Sequence, residues 1–293
     1  MSELHHHTPD EGPRNKELPH GVLRHMLDDA ETRMCVACAF LDGIGGVPQD
    51  FETAKYWFER AAEKGNVSAI YNLGCLYYGG DGVARDLVKA AEFFRVAVAK
   101  GNLDAQFNLA YMYEYGEGVE QDKEMAMRMH EYAATHGNMR SQFEMARKYD
   151  EGSIVEKDHE MAKIWATAAA KQGHPPSQCL LATLLVEESD MQGAMEWFVK
   201  AAECGDTLAQ ISLGQIYASG YGGVTKNLVL AGFYATLAAR SGDEEGNRII
   251  SILLKKMSPS EILAMDEKLK NVRITSWDEE RLPVNEYKPH INN

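Results

Sequence analysis

Residues Val67–Asn102 read VSAIYNLGCLYYGGDGVARDLVKAAEFFRVAVAKGN, and variants of this phrase recur along the chain. It closes on a glycine followed by a polar residue. The same pair stands at Gly65-Asn66, Gly101-Asn102, Gly137-Asn138, Gly173-His174, Gly205-Asp206 and Gly242-Asp243, at intervals of 36, 36, 36, 32 and 37 residues. Counting back from each glycine gives six units: 30–66, 67–102, 103–138, 139–174, 175–206 and 207–243. A period of this length marks stacked supersecondary units that bury their apolar faces on one another.

Each unit reads as two helices. The first carries a small residue (Ala37, Gly74, Ala110, Ala146, Ala182, Gly214) and, three places on, a large one (Phe40, Tyr77, Tyr113, Tyr149, Leu185, Tyr217). Three apart on a helix is one face, so the small residue admits a neighbouring helix and the large one fills the space beside it. Gly74→Leu is therefore expected to overpack by roughly 1–3 kcal/mol. The second helix opens at Asp50, Asp86, Asp122, Asp158, Asp190 or Asn227, residues suited to capping. Its core face repeats alanine, bulky residue, alanine: Ala54, Trp57, Ala61; Ala90, Phe93, Ala97; Ala126, Met129, Ala133; Ala162, Trp165, Ala169; Ala194, Trp197, Ala201; Ala231, Tyr234, Ala238. The closing glycine suits a left-handed residue that ends a helix and lets the chain reverse.

Most units join their helices by a glycine turn, as in Gly80-Asp81-Gly82-Val83 and Gly116-Glu117-Gly118-Val119. Phosphate-cradling loops follow strands and bring a Gly-Lys pair. These turns follow helices, contain no lysine and recur with the repeat, so they read as structure.

On these residues the array resembles the Sel-one-like repeat (SLR) family, a branch of the tetratricopeptide superfamily. The resemblance covers residues 30 to 243. It implies an all-α fold, a right-handed alpha-solenoid of six tandem helix-turn-helix repeats with the first helix of each pair on the concave face, and a role as an adaptor in assembly or signalling. Two units depart from the pattern. Unit 4 has Ile154 at the second turn glycine. Unit 5 is four residues shorter, replaces the turn with Glu187-Glu188-Ser189, and starts at Pro175-Pro176, which suits a first helical turn and no later position. A change of superhelical pitch is expected there.

Outside the repeats (28–243 as a domain), residues 1–27 read as a polar arm with His5, His6 and His7, residues 244–272 as a helical cap, and residues 273–293 as an extended tail. The cap is expected as a helix over Arg248–Met257 and a second opened by Ser258-Pro259-Ser260-Glu261, with serine at the N-cap, proline at N1 and glutamate at N3.

Composition narrows the function. The 44 acidic and 30 basic residues give a net charge of −14, which repels phosphate backbones and anionic lipid heads and permits a basic partner. No apolar run has the length of a membrane span or signal peptide, so the expectation is the cytoplasm, with no nucleic acid and no membrane insertion. Five cysteines at irregular spacing read as reduced thiols. Cys35-Val36-Ala37-Cys38 has no second pair to complete a zinc site, and His130 and His136 are six apart where a zinc protease motif needs four. Some cysteine-rich relatives bind or hydrolyse β-lactams, but no serine stands three residues before a lysine and their paired-cysteine spacing is missing. No catalytic residue, metal or cofactor is assigned.

The resemblance implies that partners lie along positions 2, 5, 9 and 12 of the first helices. Units 2 to 4 then offer Tyr71, Cys75 and Tyr78; Phe107, Tyr111 and Glu114; and Phe143, Arg147 and Asp150. Tyrosine and phenylalanine are good anchors because they bury large area at small entropic cost. Arg147 and Asp150, three apart, could equally form an intrahelical ion pair. The function expected is a non-catalytic scaffold or adaptor holding a partner peptide or domain. The alternative is an inhibitor or immunity-type protein that blocks a basic target enzyme.

Overall fold

The computed structural model describes residues 18, 19, 21 and 27–272. The expected polar arm lies mostly outside these residues, and the expected tail wholly so. The described residues hold fourteen α-helices and no strand. The order is α1 (Ala30–Asp42), α2 (Phe51–Ala62), α3 (Val67–Gly79), α4 (Leu87–Ala99), α5 (Leu103–Tyr115), α6 (Lys123–Thr135) and α7 (Met139–Glu151). Then come α8 (His159–Lys171), α9 (Pro175–Glu187), α10 (Met191–Glu203), α11 (Thr207–Ser219), α12 (Leu228–Arg240), α13 (Glu244–Leu254) and α14 (Pro259–Asn271). They divide into two compact units, one through His136 with repeats 1–3, the other from Gly137 with repeats 4–6, α13 and α14.

Local chemistry sets these helices. The side chains of Asp50, Asp86, Asp122, Asp158 and Asn227 each accept a hydrogen bond from the backbone N–H three residues on, and Asp190 does so from Gly193. Each such cap contributes about 1 kcal/mol. Asn66, Asn102, Asn138 and Asp206 cap the first helices in the same way, so the polar residue after each closing glycine begins the next repeat. The closing glycines take φ between 85° and 93°. At the turns, a Cβ on Gly118 would run into the backbone of Leu87 at the start of the preceding repeat's second helix. Glycine is needed there for close approach as well as for its φ of 66°.

In the first unit, every extensive contact joins helices adjacent in the chain, from α1 against α2 through α5 against α6. Such nearest-neighbour packing is that of an α-solenoid. The alanines of the second helices are fully buried, as the stripe indicates. Of the bulky members, Trp57 is buried as expected, but Phe93 and Met129 are only half-buried, and in all three repeats a fully buried side chain stands one residue on, at Phe58, Phe94 and His130. Positions i+3 and i+4 share a helix face, and the crossing of the neighbouring helix selects the second. Phe94 lies against Gly74, where a Cβ would sit 2.6 Å from its ring.

The second unit repeats this packing from α7 to α12. Phe198 occupies the filled position of repeat 5, while Ala166 and Ala235 occupy it in repeats 4 and 6. A buried glutamine also recurs at the fourth residue of the first helix, at Gln106, Gln142, Gln178 and Gln210. Gln178 Nε2 donates to the Ala170 carbonyl and Gln210 Nε2 to that of Ala202, each at 3.2 Å, tying each hairpin to the preceding one.

At the end of this unit, α13 and α14 close the core with Ile249, Leu253, Met257, Met265 and Leu269. Helix α13 starts at Glu244 and stops at Leu254, where Arg248–Met257 was expected, because Asp243 caps it through the Gly246 N–H. Helix α14 opens with the reciprocal Ser258–Glu261 capping box.

Candidate functional site

The first-helix faces carry the candidate residues, and the two units are taken in turn. In the first unit, α3 and α5 supply six of them. Tyr71 and Cys75 do not line an accessible face: they are 2% and 3% exposed, with the Tyr71 ring tilted against Phe94 at 5.9 Å. Asn108 Nδ2 donates to the Tyr71 hydroxyl at 3.3 Å. These two belong to the core because α4 brings a phenylalanine beneath them. Tyr78, Phe107, Tyr111 and Glu114 are half-buried. The Tyr78 hydroxyl donates to the Glu117 carboxylate in the turn of repeat 3. Tyr111 lies against Tyr115 with ring centroids 4.3 Å apart.

Under this face sits a residue that pattern reading set aside. His130 of α6 is 1% exposed, its Nε2 lies 3.8 Å from Glu114 Oε2, and its ring meets the Phe107 edge at 5.4 Å. The signal that could have found it is the i+4 register that places Phe58, Phe94 and Phe198 in the other repeats. Helices α3 and α5 carry Asp104 and Glu114 as their charged residues and no basic side chain. The face is aromatic and acidic.

In the second unit, α7 supplies Phe143, Arg147 and Asp150, all half-buried. Arg147 and Asp150 do not pair with each other. Arg147 lies 3.7 Å from Glu144 and 3.5 Å from Glu151, on the flanking turns of its own helix, while Asp150 meets Lys157 at 3.4 Å. Phe143 packs edge-on to His174 at 5.0 Å. His174 is the N-cap residue of α9, with Nδ1 2.6 Å from Ser177 Oγ, and burial aided by the Arg140 charge pushes its pKa down to about 4.

The five thiols are unpaired with one another. Burial, with Asp42 and Cys35 adding to it, pushes Cys38 up to about 11, and burial beside Asp206 raises Cys179 further. Such thiols stay protonated at neutral pH and are weak nucleophiles. Among the described residues no three His, Cys, Asp or Glu side chains gather as a metal-binding group, and no helix is long and apolar enough to cross a membrane.

The family model of the Sel1 repeat matches residues 28–66, 67–102, 103–138, 140–174, 177–206 and 207–243. The chain belongs to the Sel1 repeat family. A Sel1 repeat protein from Oxalobacter formigenes is similar over 75% of this chain and 91% of its own, at 26% identity and a TM-score of 0.70. Two immunity proteins from Pseudomonas aeruginosa, 21% and 17% identical, are similar over 74% of this chain and 83% of theirs, with TM-scores of 0.51 and 0.53. At that identity the likeness is one of fold. No curated protein matches the chain. The Sel1 repeats of this chain put their buried alanine stripes between hairpins and leave the first-helix faces to vary, from aromatic in repeats 2 and 3 to mixed charge in repeat 4.

Proposed function

We propose that this Sel1 repeat protein is a non-catalytic scaffold that holds a protein or peptide partner on the first-helix face of repeats 2 and 3. The observation that carries the reading is the make-up of that face: Tyr78, Phe107 and Tyr111 with Glu114, and no basic side chain on α3 or α5. Rings that are half-buried before binding lose little entropy when covered, and carboxylates beside them favour a segment bearing lysine or arginine. Phe143, Arg147 and Asp150 offer a second, mixed-charge set on α7. The acidic excess opposes nucleic acid and anionic lipid, and a cytoplasmic location belongs to the same proposal.

The test is to identify the partner by affinity purification and mass spectrometry, then measure its binding to purified protein. Tyr78→Ala combined with Tyr111→Ala is expected to weaken binding at least tenfold with helical circular dichroism unchanged. Equal affinity of parent and variant would sink the assignment.

The second reading, an inhibitor of a basic enzyme, draws on the net charge of −14 and on neighbours described as immunity proteins. It predicts affinity that falls steeply between low and physiological salt and survives Tyr78→Ala with Tyr111→Ala, whereas the first reading loses affinity in that variant.

A further inference from the structure

Helix α1 carries three sulfur side chains within little more than one turn. They stand in the stretch Met34-Cys35-Val36-Ala37-Cys38, so Cys38 is four residues from Met34 and three from Cys35. Both spacings make neighbours on a helix surface, with Cβ atoms about 5–6 Å apart. The thiols are free, Cys35 exposed and Cys38 half-buried, and Met34 is half-buried beside them. Burial, Asp42 and then Cys35 push Cys38 up to about 11, so the two thiols lie within electrostatic reach of each other. Val36 and Ala37 between them are fully buried and hold this face of α1 against the core. The aromatic face of repeats 2 and 3 uses none of the three sulfurs.

Two thiols fall short of the four ligands that zinc takes, and hard cations call for oxygen. A soft cation satisfied by two or three sulfur ligands meets no such shortfall, and thiolate with thioether selects copper(I). Reach is adequate: a metal–thiolate bond is about 2.3 Å, so a linear S–metal–S unit spans about 4.6 Å, which side chains three apart on a helix attain by choice of χ1 rotamer. Glu31 and Asp42, one turn to either side, oppose bare thiolates but attract a cation. We propose that Met34, Cys35 and Cys38 form a copper(I) site on α1, with the two thiolates as principal ligands and the Met34 thioether as a weaker third. On binding, two S–H bonds break, two Cu–S bonds form, two protons pass to solvent and the metal remains copper(I).

The experiment is anaerobic titration of the reduced full chain with copper(I) against a chromophoric copper(I) chelator, followed by X-ray absorption of the loaded protein. One copper(I) per chain with sulfur neighbours alone is the expected result. Cys35→Ser and Cys38→Ser are each expected to weaken binding at least about a hundredfold, and Met34→Leu about tenfold, with helical circular dichroism unchanged. Cys204→Ser, which alters a thiol outside the site, is expected to bind as the parent does. Nitrogen neighbours in the absorption spectrum would move the metal to histidines such as His5, His6 and His7 and overturn the proposal. Unchanged affinity in the variant lacking both Cys35 and Cys38, or a parent that takes no copper(I) from the chelator, does the same.

Discussion

Repeats 2 and 5 build the same pair of 13-residue helices from different punctuation. Repeat 2 uses Asn66 as cap and a glycine turn. Repeat 5 starts from His174, whose side chain caps no backbone N–H, and crosses between its helices through Ser189 at φ 66°, a left-handed value that favours glycine. Both keep two fully buried alanines and a phenylalanine on the second helix, Ala90, Phe94 and Ala97 in one, Ala194, Phe198 and Ala201 in the other. The pair is thus held by what the hairpins bury against each other, and the turn and cap can change around it.

The largest expected effect separates the two caps. His174 is held near 4, below the ordinary value of about 6.5, mainly by burial and also by Arg140. The folded chain therefore favours the neutral ring, and the unfolded chain takes up the proton first as pH falls. Stability linked to this group is present above pH 6.5 and is lost as pH drops toward 4, by up to about 3 kcal/mol. His174→Asn, which installs the cap of repeat 2, is expected to flatten the urea midpoint across that window. A profile as steep as the parent's would remove His174 from the account.

A smaller effect concerns the helix crossing. Gly74→Ala places a methyl 2.6 Å from the Phe94 ring and is expected to cost about 1–3 kcal/mol. Gly214→Ala meets its nearest atoms at 3.5 Å, facing Ala231 and Ala235, and is expected to gain up to about 1 kcal/mol from helix propensity. Urea unfolding of the two variants measures the pair. Equal signs would show that the ring at position 94 does not govern how closely α3 and α4 approach.

The smallest effect is at the substituted turn. Ser189→Gly relieves the left-handed backbone and adds unfolded-state freedom, for a net gain below about 1 kcal/mol. A loss larger than that, by thermal unfolding, would mean that the serine side chain holds the shortened connection.

The helix pairs, the second-helix caps such as Asp86, and the cap helix opened at Ser258 were legible because each depends on residues within one turn of itself. The buried glutamine at 106, 142, 178 and 210 was equally periodic, yet its meaning depends on partners distant in the chain, a carbonyl of another helix at 106, 178 and 210 and the Gln172 side chain at 142. The candidate site was legible in residue type and less so in burial. Tyr71 and Tyr111 look alike in sequence, but Phe94 lies beneath the first and His130 stands in its place below repeat 3.

By itself the sequence determined how many repeat hairpins form and which glycine closes each, since capping, helix periodicity and left-handed glycines act over a few neighbouring residues. Only the tertiary structure decided which of two adjacent positions, Phe93 or Phe94, fills the core, and with it which first-helix rings are covered. A helix face about 100° wide holds both i+3 and i+4, and the crossing of the next helix chooses between them.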